Sequence, residues 1–410
     1  AHAQLEEHPA AIIAFEHALS LAPSKPHYLF ALASSLRSQH RYLEAIGYLE
    51  RAITGAPDRA EYHFNLGLVL RATSDFTRAR NAFARTLELA PDHLEARYYH
   101  SDLLARDQHL ESARQGFAML LAQDSTHVQG LLGLGGLLID LKKPLRAARI
   151  LNRAAATAPH NPSPHYLLAQ AYDQSGQPLE AKRARERFRD LSAAERHLNQ
   201  GTIYIGRREW DRATAELGRG LRSNPASVAI RLRLATIHIR QNRPDSAIAQ
   251  LQEAIALEPD HLESLLTLGD LQLQNRALTE ANNLFSRALK LDPNSFSAAY
   301  GLGRTRWQEG DLNGAITSLS QALTQAPEHR DTHYVLGLVY VRLQRFAEAR
   351  ACFARSTAID PTHAESHYGL SLISLQQGQI ALARQTLKKV LSLQPDHQRA
   401  RARLAKLGQA

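Results

Sequence analysis

A proline returns every 34 residues along most of this 410-residue chain: Pro23, Pro57, Pro91, Pro159, Pro225, Pro259, Pro293, Pro327, Pro361 and Pro395. A fixed period of that length specifies a stack of equal units rather than one globular core. Between Pro91 and Pro159 lie two periods, with Ser125 at the skipped site. The step from Pro159 to Pro225 is 66 residues, so two residues are lost there. Nearly every proline site is preceded, twelve residues earlier, by an Ala, from Ala11 and Ala45 through Ala349 and Ala383. Four residues after that Ala comes a large apolar side chain, such as Leu49, Phe83, Phe117, Leu151, Phe285 or Phe353. That spacing is one face of an α-helix, with Ala where two helices approach closely.

Earlier in each unit stands a pair such as Leu66-Gly67, Leu134-Gly135, Leu268-Gly269, Leu302-Gly303 or Leu336-Gly337. With the Ala and the apolar residue, this pattern resembles the tetratricopeptide repeat over essentially the whole chain. The resemblance implies an all-α, right-handed superhelical solenoid of about eleven 34-residue helix-turn-helix repeats with a C-terminal capping helix. On that register the chain is one array. Residues 1–25 form a partial repeat, 26–193 repeats one to five, 194–397 repeats six to eleven, and 398–410 the cap. An irregular joint is expected near 182–195, where Lys182, Arg183, Arg185, Arg187 and Arg189 cluster and Arg185 replaces the usual Leu or Phe. Helix starts are expected at polar residues followed three later by an acid or amide: Asp58/Glu61, Asp92/Glu95, Thr126/Gln129, Ser192/Glu195, Asp260/Glu263 and Thr362/Glu365.

No apolar run approaches the roughly 20 residues of a membrane span. The single cysteine, Cys352, falls within a second helix and reads as a small buried apolar residue. The net charge of +9 does not point to nucleic acid, because Arg51, Arg85, Arg153, Arg187, Arg219, Arg287, Arg355 and Lys389 share one site late in the second helix. Cations there complement the helix C-terminal partial charge. His93, His127, His261, His329, His363 and His397 share a site just before a first helix, and His329/His333 and His363/His367 are i, i+4 pairs. No carboxylate or thiolate set converges on them, so they read as loop and capping residues, with no metal or other cofactor expected. Metalloprotease, phosphate-loop, nucleophile-elbow and dinucleotide motifs are absent from the sequence, and the chain is not expected to be an enzyme.

At the N-terminus, the register makes Ala1 through Glu6 the second half of a first helix, followed by a second helix near 9–21. Either the array is a piece of a longer one, or Ala1-His2-Ala3 marks a processed, exported chain; the latter is slightly favoured over a cytoplasmic one. Residues 398–407 read as one more first helix with Arg399, Arg401, Arg403 and Lys406 outward. An end that completes the other end's repeat would give head-to-tail homo-oligomers or filaments.

For function, the resemblance implies a concave groove lined by the first helices, holding a peptide or a partner's helix. Its walls are the second, fifth, sixth, ninth, twelfth and thirteenth positions of each unit. The strongest candidate cluster is Trp307 with Arg304 on its own helix and Tyr300, Tyr334, Arg342 and Tyr368 around it. Aromatic faces beside guanidiniums suit a peptide with apolar and acidic side chains. A second cluster is Tyr98, Tyr99, Asp102 and Arg106. Asn199 and Arg233 match two positions of the family's terminal-carboxylate clamp, but Tyr166, Gln170 and Ala229 occupy the others. The sequence therefore reads as a non-catalytic interaction scaffold, with self-assembly as the alternative.

Overall fold

The computed structural model describes the backbone of residues 2–408 and the side chains of residues 12–407. Ala1, and with it the Ala1-His2-Ala3 site, and the side chain of Ala11 lie outside the described residues. Contacts divide the chain into two compact units, residues 1–193 and 194–410, and each is described by itself. The first unit contains α1 (His2–Leu21), α2 (Pro26–Ser38), α3 (Tyr42–Gly55), α4 (Ala60–Ala72), α5 (Phe76–Leu89), α6 (Leu94–Arg106), α7 (Leu110–Gln123), α8 (Val128–Asp140), α9 (Pro144–Thr157) and α10 (Ser163–Gln174). Helix α11 (Pro178–Gly206) begins in the first unit and ends in the second. The second continues with α12 (Trp210–Ser223), α13 (Val228–Arg240), α14 (Pro244–Leu257), α15 (Leu262–Gln274), α16 (Leu278–Leu291), α17 (Phe296–Glu309) and α18 (Leu312–Gln325). It closes with α19 (Arg330–Arg342), α20 (Phe346–Ile359), α21 (Ala364–Gln376), α22 (Ile380–Leu393) and α23 (Gln398–Gly408). No strand occurs among the described residues.

The pairing rests on the Ala positions. From Ala45 to Ala383 each is fully buried, including Ala181, which the proline spacing passes over. The apolar residue four places on is the knob that fills the space between helices: Phe83, Phe117, Phe285 and Phe353 are at most 1 % exposed. Where the knob is Phe, a glycine commonly makes room. A methyl group on Gly337 would come within 2.7 Å of Phe353, and one on Gly369 within 2.7 Å of the same ring. Phe285 is clasped in the same way by Gly269 and Gly301. Phe83 has Gly67 on one side, but on the other Tyr99 stacks against it at 5.3 Å between ring centroids.

Turns between paired helices need one residue in the left-handed region. It is glycine at Gly176, Gly310 and Gly378, but His40, Ser74, Gln108, Lys142, Arg208, Asn242, Arg276 and Gln344 take the same conformation. The helix starts differ from the sequence expectation by one residue. The residues that cap are His93, His127, Ser227, His261, Ser295 and His329, whose side chains accept the N–H three residues on. Asp92 and Thr126 stand one place too early: Asp92 accepts from the Gln123 side chain at the end of α7, and Thr126 donates to Asp124 within its own loop. Ser192 and Glu195 begin no helix, because both lie inside the continuous α11. Likewise α1 runs unbroken from His2 to Leu21, without the expected break after Glu6.

Arg185, the residue in the knob position of α11, is exposed and pairs with Asp173 at 2.8 Å. Ala184 and Leu191 fill the core beside it instead. The repeated late-helix cations also do more than offset the helix dipole. Arg51, Arg153 and Arg287 each donate to the loop carbonyl 28 residues earlier, on Pro23, Ser125 and Pro259. They fasten each second helix to the preceding loop.

Candidate functional site

First helices of successive pairs touch directly within each unit, as α6 does α8 and α15 does α17; successive second helices show no comparable contact. The first-helix face is therefore the tighter, inner side of the stack. In the second unit it carries the Trp307 cluster. The Tyr300 ring lies parallel to Phe296, with centroids 5.6 Å apart, and His329 meets its edge at 5.2 Å. The Arg304 guanidinium sits 5.4 Å above Tyr300 and pairs with Asp270 at 3.7 Å. Trp307 is partly buried against the Ala315–Leu319 core, and its carbonyl accepts a long bond of 3.5 Å from Arg342. The rest of its ring borders a shallow recess of about 440 Å³ shared with Arg304, Arg276, Gln274, Gln308, Leu273 and Leu278.

The polar groups there are held in tension. The Asp270 carboxylate stays open to water, yet the protein mass of the inner face crowds it. That burial raises its pKa against the opposing pull of Arg304. Burial also raises the Tyr300 hydroxyl, and it pushes Tyr334 up to about 12 with the help of Glu365. A group whose charged or solvated form is disfavoured in this way gains from a partner that supplies a hydrogen bond.

Not every expected residue faces the recess. Tyr368 is 7 % exposed and packs against His397 at 4.9 Å, with Arg399 above its ring, so it is a core residue. Tyr334 is wedged between Phe353 and His363. Asn199 and Arg233 are exposed on α11 and α13, and no hydrogen bond or ion pair joins either to the Trp307 cluster. The residues that sequence reasoning overlooked are Asp270, Arg276 and Gln274. Asp270 could have been found, because it occupies the ninth position as Asp102 does; Arg276 comes from a turn that the groove pattern leaves out.

In the first unit the second cluster forms as one group with two additions. Arg71 lies 4.7 Å over Tyr99, and Arg106 lies 3.6 Å over Phe76. Between these cations the Asp102 carboxylate is raised by burial and lowered by Arg71 and Arg106. Tyr98 is pushed up to about 12 by burial and by the Asp102 charge. Tyr99 is largely a packing residue, because it occupies the face of Phe83 that glycine leaves open elsewhere.

Three of the four residues in the histidine pairs are engaged by the backbone, and the fourth, His363, bonds the Ser366 hydroxyl at 2.7 Å. His329 caps α19, and His333 and His367 bind the carbonyls of Pro327 and Pro361 at 2.8 and 3.0 Å. Among the described residues no three His, Cys, Asp or Glu side chains converge as metal ligands, and no helix is long and apolar enough to cross a membrane.

Two tetratricopeptide-repeat models match residues 27–92 and 64–128. A model described as the Cilia and flagella-associated protein 70 C-terminal domain matches residues 209–410. No curated protein matches the chain. Among solved structures, a chain of the APC/C hetero-tetramer Cut9–Hcn1 is similar at 16% identity, over 98% of this chain and 93% of that one, with a TM-score of 0.47. Yeast Tom70 is similar at 14% identity, over 93% of this chain and 95% of that one, with a TM-score of 0.39. Pseudomonas aeruginosa pilF is similar at 16% identity, over 53% of this chain and 99% of that one, with a TM-score of 0.47. On its repeated helix pairs and the family models that match them, the chain belongs to the tetratricopeptide-repeat family.

Proposed function

We propose that this chain is a non-catalytic scaffold that holds a peptide segment of a protein partner on the inner face of its second unit. The recess beside Trp307 is the observation that carries this reading. Indole is among the side chains most enriched at interface hot spots, and here part of its ring is left uncovered next to Arg276 and Arg304. An apolar side chain would fill the recess, and an acidic neighbour would pair with the guanidiniums. The nearby groups that could do chemistry are occupied with structure: the histidines with caps and loop carbonyls, and Arg304 with Asp270.

Peptides selected by display against the intact chain test the reading. Trp307→Ala is expected to weaken the best binder by about thirtyfold or more, the size of a hot-spot loss. Arg276→Gly, which suits the left-handed turn, should weaken acidic binders without loss of fold. Binders indifferent to both changes would overturn it.

Head-to-tail self-association through residues 398–410 is a second reading. Leu404 and Leu407 pack towards α22 but keep exposed surface that a further helix could cover. Light scattering over a wide concentration range decides it: mass that stays constant removes the idea, and growth that a chain ending at Gln394 loses supports it.

A further inference from the structure

A second recess, larger than the one beside Trp307, lies away from the inner face. It lies in the first unit between the second helices α7 and α9, holds about 600 Å³, and is floored by Leu134 and Leu138 of α8. Ala118 and Ile150 form apolar walls. Along the α9 side run Lys143, Arg146 and Arg149, all exposed and none in an ion pair among the described residues, although the Arg114 hydrogen bond and the Lys143 charge together lower the Glu111 carboxyl. The one acid in the recess, Glu111, is engaged by Arg114 at 2.9 Å.

The second unit supplies an internal control. Between α14 and α16, over α15, the same recess recurs at about 290 Å³. Leu134 corresponds there to Leu268 and Ile150 to Leu284, so those two apolar positions are a product of repeat stacking, whereas Leu138 and Ala118 correspond to Gln272 and Gln252 and make the first recess the more apolar. The cations do not recur. Arg146 corresponds to Glu280, Arg149 to Asn283 and Lys143 to Ala277. Packing thus tolerates neutral or acidic residues at all three sites. Moreover, α9 has no acid in its first turn, and its cations sit at the helix end where positive charge is disfavoured.

We infer that the cleft between α7 and α9 docks an acidic amphipathic helix of a partner protein. The cations are spaced three residues apart along one helix and so span about 9 Å. A single phosphate would need them to converge. A helix with Glu or Asp on one edge and Leu on the adjoining face matches both the row of cations and the apolar floor. This site is separate from the Trp307 recess, which lies in the other unit.

A fluorescently labelled synthetic helix with Glu and Leu on adjoining faces, titrated with the full chain, tests the assignment by anisotropy. The intact chain is expected to bind it, more weakly as salt rises. The same helix with Lys in place of Glu should not bind. The combined variant Lys143→Ala, Arg146→Glu, Arg149→Asn copies residues the chain already carries in the equivalent recess and is expected to fold. Measured in a Trp307→Ala background, so that the other recess does not contribute, it should weaken binding at least about tenfold. The assignment falls if the intact chain does not bind, if the Glu and Lys helices bind alike, or if the triple variant retains affinity. It falls too if phosphatidylserine vesicles are preferred to the peptide and lose binding in the triple variant, which would make the cleft a lipid contact.

Discussion

Nδ1 of His329 accepts the backbone N–H of Thr332 at 3.2 Å, so an unprotonated imidazole caps α19. A ring nitrogen that accepts cannot also carry a proton, and an imidazolium at a helix N-terminus opposes the helix dipole. His93, His127, His261 and His397 make the same bond to the residue three places on.

Acid should therefore loosen the array. Burial lowers the pKa of His329 and of His363, with Arg330 adding to both. A lowered folded-state pKa means that the unfolded chain binds more protons. This stability is full above about 6.5, the ordinary histidine value, and is lost as pH falls below it. Thermal melts between pH 7.5 and 5.5 should show a falling midpoint. His329→Asn, a cap that does not titrate, should flatten the fall by an amount on the order of one cap, about 1 kcal/mol.

Two glycines in helix interiors should respond in opposite directions. A methyl group on Gly47 would meet nothing within 4 Å, so Gly47→Ala is expected to stabilise by about 0.5–1 kcal/mol. On Gly337 it would press into Phe353 at 2.7 Å, and Gly369 blocks the ring's retreat. Overpacking costs about 1–3 kcal/mol and outweighs the helix gain, so Gly337→Ala should lower the midpoint of a urea melt.

Arg185 and Phe353 occupy equivalent places after the repeat Ala but differ in environment. Arg185 is exposed, and its pair with Asp173 contributes about 0–1 kcal/mol, so Arg185→Ala should scarcely shift a urea melt. Phe353 has no exposed surface, and Phe353→Ala should cost about 3–5 kcal/mol.

Cys352 should be slow to react. Burial and the Glu348 charge push its thiol up to about 11, which leaves about one thiolate in ten thousand at pH 7. Labelling by a disulfide reagent should lag far behind glutathione in native buffer and catch up in urea. Fast native labelling would mean that α20 opens locally.

Much of the architecture was legible because it repeats. A single Ala twelve residues before a proline is weak evidence, but the same pair at nearly every period fixes which face of each second helix is buried. The Trp307–Arg304 pairing was legible for the same reason, because register assigns both to the inner face. Registers say which side a residue takes, and they do not say how deep it lies. Tyr368 and Trp307 both belong to inner positions, yet one is sealed under Arg399 and His397 while the other edges a recess.

The helix starts show the same limit at short range. Asp92 and His93 are adjacent polar residues, and either could cap; backbone torsion at His93 gives it the N–H of Ala96. The sequence by itself determined the helix pairs, the buried Ala face and the inner positions, since period and spacing are local properties that eleven copies reinforce. The tertiary structure alone decided the fusion of α11, the pairing of Arg185 with Asp173 and the cationic cleft of Lys143, Arg146 and Arg149. Each of these depends on how neighbouring helices close around a side chain, and that distance is set by atoms from several repeats at once.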